Sequence, residues 1–209
     1  MKVLLVNGSP NEKGCTYTAL SQIAKVLEEQ NIETEIFHIG NQMIRGCIGC
    51  GACKKSEDGH CVFSDDCLNT LADKAKEADG YIFGSPVFYA SPNGAMLAIM
   101  DRLFYSAGKH MAFKPAACIA SARRAGTTAT YDVLNKYIGI NNMLMVPSNY
   151  WNMVHGSKPD DVLKDEEGLQ ILRTIGKNMA WMLNLLEQGK KNGIEHPVAE
   201  EKIRTNFIR

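Results

Sequence analysis

The chain has 209 residues, 45% of them apolar and 22% charged, with a formal net charge of zero. This is the composition of one ordinary globular domain, large enough to bury a core without staples. Electrical neutrality removes the footprint that nucleic acid or an acidic membrane surface would demand, so neither is expected as a partner.

Val3 to Val6 is a short, wholly apolar strand of the kind buried on both faces. It is far too short for a signal peptide or a membrane span, and Asn7-Gly8 ends it as a turn. No other apolar run approaches spanning length, so the expectation is a soluble, cytoplasmic protein. Thr16 to Gln30 predicts a helix, with Ala19, Leu20, Ile23, Ala24 and Leu27 at helical spacing. Ile32 to Ile39 alternates apolar and polar residues, the pattern of an edge strand. Residues 43–67 then interrupt the alternation as a cysteine-rich insertion. Asp65 or Asp66 is placed to cap a helix from Cys67 to about Glu77. Tyr81-Ile82-Phe83 is the third strand, closed by Gly84-Ser85-Pro86. Ser91 or Asn93 opens a helix carrying Met96, Leu97, Met100, Leu103 and Phe104. Ala116 to Ala120 is the fourth strand, and Gly126-Thr127-Thr128 begins a further helix. Met143 to Val146 is the fifth strand, and a long helix from about Glu166 to Gln188 closes the fold. Residues 1–189 read as one domain, and 190–209 as a polar tail that is loosely ordered or reaches a partner subunit. Five strands with intervening helices and right-handed crossovers give a parallel α/β sheet.

The first strand runs directly into Gly8-Ser9-Pro10-Asn11-Glu12-Lys13-Gly14-Cys15-Thr16-Tyr17-Thr18 and then a helix. At this position in an α/β sheet, unpaired amides and the helix dipole favour a phosphate. Ser9, Asn11, Thr16 and Thr18 add short polar side chains, with Cys15 and Tyr17 beside them. The spacing matches neither a Walker loop nor G-x-G-x-x-G. A plain strand-to-helix turn capped by Thr16 is the competing reading.

V-N-G-S-P-x-x-x-G-x-T resembles the phosphate loop of the flavodoxin-like NAD(P)H-dependent FMN reductase family, and Gly84 to Pro92 resembles that family's second flavin loop. The resemblance covers at least Lys2 to Glu187, including Met96, Asp101 and Arg102. It implies a flavodoxin-like three-layer sandwich whose five-stranded parallel sheet has the order 2-1-3-4-5. It implies FMN at the carboxyl ends of the strands, with Pro86, Val87, Phe88 and Tyr89 lining the ring. Ser121, Arg123, Arg124 and Gly126 lie where the third flavin loop belongs, and the two arginines either offset charge on the reduced ring or stand as solvated loop charges. Relatives often carry Asn where this chain has Cys15, so a phosphate contact from that side chain is weakened here. The implied activity is electron transfer from NAD(P)H or reduced ferredoxin to a quinone, oxygen species, nitro or azo compound or protein. The implied assembly is a homodimer or homotetramer. A non-enzymatic flavodoxin-like carrier is the alternative, against which the neutral charge weighs; a redox sensor is another.

The chain has seven cysteines, an odd number that argues against a disulfide framework. Cys47, Cys50, Cys53 and Cys61 follow the spacing C-x2-C-x2-C-x7-C, which resembles a ferredoxin-type run and the iron–sulfur flavoprotein subfamily of the same fold. Three readings stand: a [4Fe-4S] cluster, a structural zinc, or a loop that holds no metal or loses it in air. Cys67 is expected at a helix start and Cys118 in the core. Tyr150 to Gly156 follows the fifth strand on the ligand side. It either roofs a flavin or forms an interface patch, and His155 is a candidate proton donor. His38, His60, His110 and His196 show no ligand spacing.

Overall fold

A computed structural model describes residues 1–198, 200, 201, 203 and 205. The elements follow one another as β1 (Lys2–Asn7), α1 (Cys15–Glu29), β2 (Glu33–His38), α2 (Leu68–Glu77), β3 (Gly80–Phe88), β4 (Ser91–Pro92), α3 (Gly94–Ser106), β5 (Pro115–Ala122), α4 (Thr127–Ile140), β6 (Leu144–Met145), β7 (Met153–His155), α5 (Pro159–Val162) and α6 (Glu166–Lys191). The parallel sheet runs β2-β1-β3-β5-β6, the expected 2-1-3-4-5 order. β2 is an edge strand, half-exposed along its length, as its alternating sequence required.

Burial on both faces follows from the wholly apolar strands. In β1, Leu4 and Val6 join the core under α2, α3 and α4. Val3 and Leu5 point the other way, into the core under α1 and α6. Cys118 is fully buried, as expected for a residue in a central strand.

Three elements differ from the sequence reading. The third strand does not stop at Phe83; it continues to Phe88, with Gly84, Ser85 and Pro86 inside it. Ser85 and Pro86 pair with Ala120 and Ser121 of β5, while β1 has already ended on the other side at Asn7↔Gly84. Proline is tolerated because that flank has no ladder partner to lose. Gly84 belongs in the strand because α1 sits on it: a Cβ there would lie 2.9 Å from Thr16 Cγ2. The fifth strand position is split. β6 pairs with Pro115–Ala116, the chain loops out through Pro147, and β7 returns to pair with Ala120–Ala122. Helix α1 has Gly14 as its N-cap with no side-chain cap, so Thr16 does not cap it. Cys67, half-buried, is the N-cap of α2, and the Leu68 amide donates to Asp66 Oδ1 at 3.0 Å.

Asn93 caps α3 through the Ala95 amide, and α6 begins at a cap from Asp165 to Gly168. The first residues of the expected tail fold back: the Ile194 amide donates to Gly189 O, and the His196 ring stacks on Phe113 at 4.5 Å. Positions 199, 202, 204 and 206–209 of that tail lie outside the described residues.

Helices α1 and α6 cross at Gly176, where a Cβ would lie 2.8 Å from Val26 Cβ. Gly to Ala in an open helix gains about 1 kcal/mol. Here overpacking outweighs propensity, and Gly176→Ala is expected to lose about 1–3 kcal/mol in urea unfolding. A stability gain would show that the two helices have room to separate.

Candidate functional site

Because the sheet is parallel, the loops leaving β1, β3, β5 and β7 share its carboxyl edge, the position where open α/β sheets bind ligands. The loop after β1 is braced from all sides. The Gly8 amide donates to Gly84 O at 2.8 Å, and Asn93 Nδ2 donates to Gly8 O at 2.7 Å. Ser85 Oγ accepts from the Asn93 amide at 3.0 Å. Asn7 Oδ1 accepts from the Ser9 amide at 3.1 Å, and Asn7 Nδ2 donates to Glu12 O at 3.0 Å. His38 Nε2 lies 2.8 Å from Ser9 O, tying the loop to the edge strand. The sequence motifs contained Asn7 and Ser85 and marked Asn93 as a helix start, but they gave none of these, nor His38, this bracing role. Asn7 was legible as the residue between a strand and a glycine; the other three act across long separations that carry no local signal.

The first turn of α1 faces this loop. Its opening amides, at Cys15, Thr16 and Tyr17, have no carbonyl a turn earlier to bind. Gly14 brings no side-chain cap, and no acidic residue occupies the first turn. No carboxylate of the helix's own first turn opposes the positive end of the dipole that points into the loop. Ser9 Oγ accepts from the Asn11 amide at 3.1 Å. Thr18 Oγ1 donates to Gly14 O at 3.2 Å. Thr16 Oγ1 and Ser121 Oγ stand 2.8 Å apart and buried, so two candidates 105 residues apart form one clamp between the first and third loops. The Cys15 thiol turns aside to donate to Gly156 O at 3.5 Å. Burial pushes that thiol's pKa up, which leaves Cys15 only its amide to offer an anion.

The β3–β4 hairpin stands over the same edge, with Phe88 opposite Ser91 and Val87 opposite Pro92. Of the four residues expected to form a wall, Val87 packs beneath Gly126 and Pro86 is half-buried. Phe88 and Tyr89 project outward, Tyr89 fully exposed and with φ 59°. A bulky residue in the left-handed region costs about 1–3 kcal/mol, so the hairpin holds this ring out against its own backbone preference. Arg123 and Arg124 are exposed just past β5 and make no ion pair among the described residues. His155 lies half-exposed in β7, its Nδ1 3.7 Å from Asp165 Oδ2. Its amide is held by the same oxygen at 2.7 Å. Tyr150 and Trp151, both about half-exposed, sit against each other in the preceding loop.

The cysteine segment lies beside α3. Cys47, Cys50, Cys53 and Cys61 all line one shallow concave space, with Ile48, Phe63, Arg102 and Tyr105 around them. Burial raises the Cys53 thiol's pKa, and the neighbouring Cys61, Cys47 and Cys50 raise it further. Among the described residues no three His, Cys, Asp or Glu converge closely enough to hold a single metal ion. The thiols share a pocket without meeting at a point. Arg102, 1% exposed, is buried in an ion pair with Asp66 whose side chain is equally buried. Among the histidines, His60 bridges Asp58 and Asp73 and faces no thiol pair.

The fold and the loops at its carboxyl edge define a flavodoxin-like protein. The likeness extends to the solved structure of a flavodoxin from the domain Archaea, at 16% identity and a TM-score of 0.60 over 88% of this chain and 99% of that one. Residues 1–158 match the NADPH-dependent FMN reductase family, and the chain belongs to it. It is 30% identical to an iron–sulfur flavoprotein of Methanocaldococcus jannaschii over 199 residues, 90% of this chain and all of that one. It is 25% identical to an iron–sulfur flavoprotein of Methanosarcina thermophila, over 91% of this chain and 99% of that one. The protein is thus an FMN-dependent oxidoreductase, and its family implies a nicotinamide donor. Among the described residues, no helix is long and apolar enough to cross a membrane.

The buried Arg102–Asp66 pair has a measurable signature. Arg102→Met leaves the Asp66 carboxylate buried alone and is expected to cost about 3–5 kcal/mol. The double variant Arg102→Met/Asp66→Leu is expected to recover much of that in denaturant unfolding, because no uncompensated charge remains. Additive losses would show that the two side chains do not depend on each other.

Proposed function

We propose that this protein passes electrons from NAD(P)H or reduced ferredoxin to a small acceptor such as a quinone, an oxygen species, or a nitro or azo compound, using FMN and a [4Fe-4S] cluster held by Cys47, Cys50, Cys53 and Cys61. The observation that carries the flavin site is the uncapped, acid-free first turn of α1 facing a braced loop. The amides of Cys15, Thr16 and Tyr17 and the side chains of Ser9, Asn11 and Thr18 hold the phosphate. The Thr16–Ser121 clamp and Gly126 shape the space beside it. Pro86 and Val87 support the hairpin, and Phe88 and Tyr89 supply flat apolar surface for the ring. Arg123 and Arg124, exposed just past β5, offset negative charge on a reduced ring. Bound there, FMN supplies the redox chemistry itself, so the chain needs no side-chain nucleophile. His155, whose Nδ1 lies 3.7 Å from Asp165 Oδ2, is the side chain that would pass a proton.

Four thiols lining one pocket support a metal group shared among them. C-x2-C-x2-C is tighter than the usual zinc spacing. A cluster there would exchange single electrons and so couple one-electron partners to the flavin. The names carried by the two relatives above point the same way. In this reading residues 1–189 form the flavin domain with 43–67 as its inserted loop, and the protein works in the cytoplasm. The exposed Tyr89, Tyr150 and Trp151 support a homodimer or homotetramer assembled over that edge.

Anaerobic purification followed by an absorption spectrum and iron, zinc and sulfide assays tests both cofactors. Flavin bands with a broad iron–sulfur shoulder, and iron and sulfide in equal amounts, are expected. Stoichiometric zinc without sulfide replaces the cluster by a structural metal, and a colourless chain that refuses added FMN ends the flavin site. For the phosphate loop, Gly14→Asp supplies the missing N-cap. The cap's gain of a few tenths of a kcal/mol is set against a Cβ 3.1 Å from Asn11 Cβ, so apo-protein stability is expected to change by less than about 1 kcal/mol, while FMN affinity by fluorescence titration falls about tenfold or more, ~1.4 kcal/mol. Gly14→Asn caps without charge and should lose less. Unchanged affinity in both variants places the phosphate elsewhere.

A further inference from the structure

Helix α3 joins the two loops just described. Its cap, Asn93, holds Gly8 O and Ser85 Oγ at the flavin edge. Arg102 lies nine residues on, ~14 Å along the axis at the usual helical rise. There its guanidinium uses every donor it has. Nε donates to Cys61 Sγ at 3.4 Å. Nη1 donates to Arg45 O at 3.1 Å and to Asp66 Oδ2. Nη2 donates to Phe63 O at 3.0 Å and to Asp66 Oδ1 at 3.3 Å. A guanidinium has five N–H groups, and all five acceptors belong to the cysteine segment between Arg45 and Asp66.

The backbone of that segment is held elsewhere too, by Asn69 on the Cys61 amide and carbonyl at 2.9 and 3.0 Å and by Lys76 Nζ on Asp58 O at 2.7 Å, but among the described residues Arg102 Nε is the donor on the Cys61 sulfur. The segment's regular structure is a three-residue turn of 3₁₀ helix at Ala52–Lys54, and Cys47, Ile48, Cys50 and Val62 are exposed. Nor is the guanidinium a plain positive charge. Asp66 neutralises it through a two-pronged pair, so what reaches Cys61 is chiefly a directed N–H dipole.

We infer that Arg102 is a positioning residue that fixes the Cys61 sulfur and sets the reduction potential of the group held by the four cysteines. The inference rests on the cluster reading above. A hydrogen bond to a ligating sulfur stabilises the more negative, reduced state more than the oxidised one, and so raises the potential. The couple takes up one electron from the donor and no proton, so the bond acts through charge alone. Asp66 opposes it by withholding the full positive charge of Arg102 from the sulfur.

The two side chains therefore make predictions of opposite sign. Arg102→Lys keeps the charge but lacks the Nε–H that reaches Cys61 while the two Nη groups hold Asp66, and the midpoint should fall. Asp66→Asn keeps an acceptor for the guanidinium but leaves its charge uncompensated, and the midpoint should rise. About a tenfold change in the reduction equilibrium is expected in each, ~59 mV for one electron. Loosening of the pocket alone admits water in both variants and moves both midpoints the same way.

The test is an anaerobic optical redox titration of the full wild-type chain and both variants. Iron and sulfide assays, circular dichroism and the rate of iron loss to EDTA accompany it. A fall in Arg102→Lys with a rise in Asp66→Asn, and faster iron loss in Arg102→Lys, bears out the inference. Midpoints that move together, or do not move, in proteins with full iron and sulfide overturn it while leaving the cluster in place. If Arg102→Lys does not fold, Asp66→Asn decides: a rise supports the role and anything else overturns it. A wild-type chain without iron and sulfide removes the cluster reading itself, and this inference with it.

Discussion

The close approach of Gly8 to Gly84 governs the geometry of the whole carboxyl edge. The Gly8 amide meets Gly84 O at 2.8 Å, and neither residue has space for a Cβ. Thr16 and Leu20 of α1 sit on Gly84, and Met96 of α3 sits on Gly8. One helix from each face of the sheet therefore bears on the same pair. A side chain at either position would move a helix, and with it the first turn of α1 or the Asn93 brace. Close packing transmits such shifts because interiors have few voids to absorb them.

The cysteine segment is organised by a different physics. It has no apolar face of its own, and few of its residues are buried. Burying Arg102 and Asp66 is costly, because desolvation of both ions must be offset by their mutual attraction and by complete hydrogen bonding. Here the hydrogen bonding is complete, so the pair fixes a loop that the hydrophobic effect cannot. Stability alone does not account for such an arrangement, since an apolar pair of similar volume often packs at least as well. What the guanidinium adds is direction: three carbonyl or carboxylate groups and one sulfur held at set angles.

Between these two anchors runs α3, and exposed aromatic residues stand out from the loops at the sheet's carboxyl edge. Tyr89 is held in a strained conformation at the tip of a hairpin, and Tyr150 and Trp151 stand out from the loop that splits the fifth strand position. Rings left in water at the ligand edge are surface waiting for contact, with a cofactor or a second chain. They are placed there by the two departures from a regular sheet, the β3–β4 hairpin and the break between β6 and β7.

Much of this protein could be read from its residues in order. The apolar strand at Val3–Val6, the helical spacing after Thr16 and the turn between them are local facts, and local facts survive folding. They placed the loop after β1 and the sheet, and the C-x2-C-x2-C spacing brought the four thiols to one segment. The sequence misplaced the end of the third strand because Gly84 and Pro86 usually break strands. Only the packing of α1 on one side and the absence of β1 on the other make them acceptable there. It marked Asn93 as a helix start but was silent on its hold on Gly8, on His38 and the Thr16–Ser121 clamp, and on the pairing of Arg102 with Asp66, 36 residues apart. Hydrogen bonds across such separations leave no periodicity behind, because the residues that make them become neighbours only when the sheet has brought their strands and helices together.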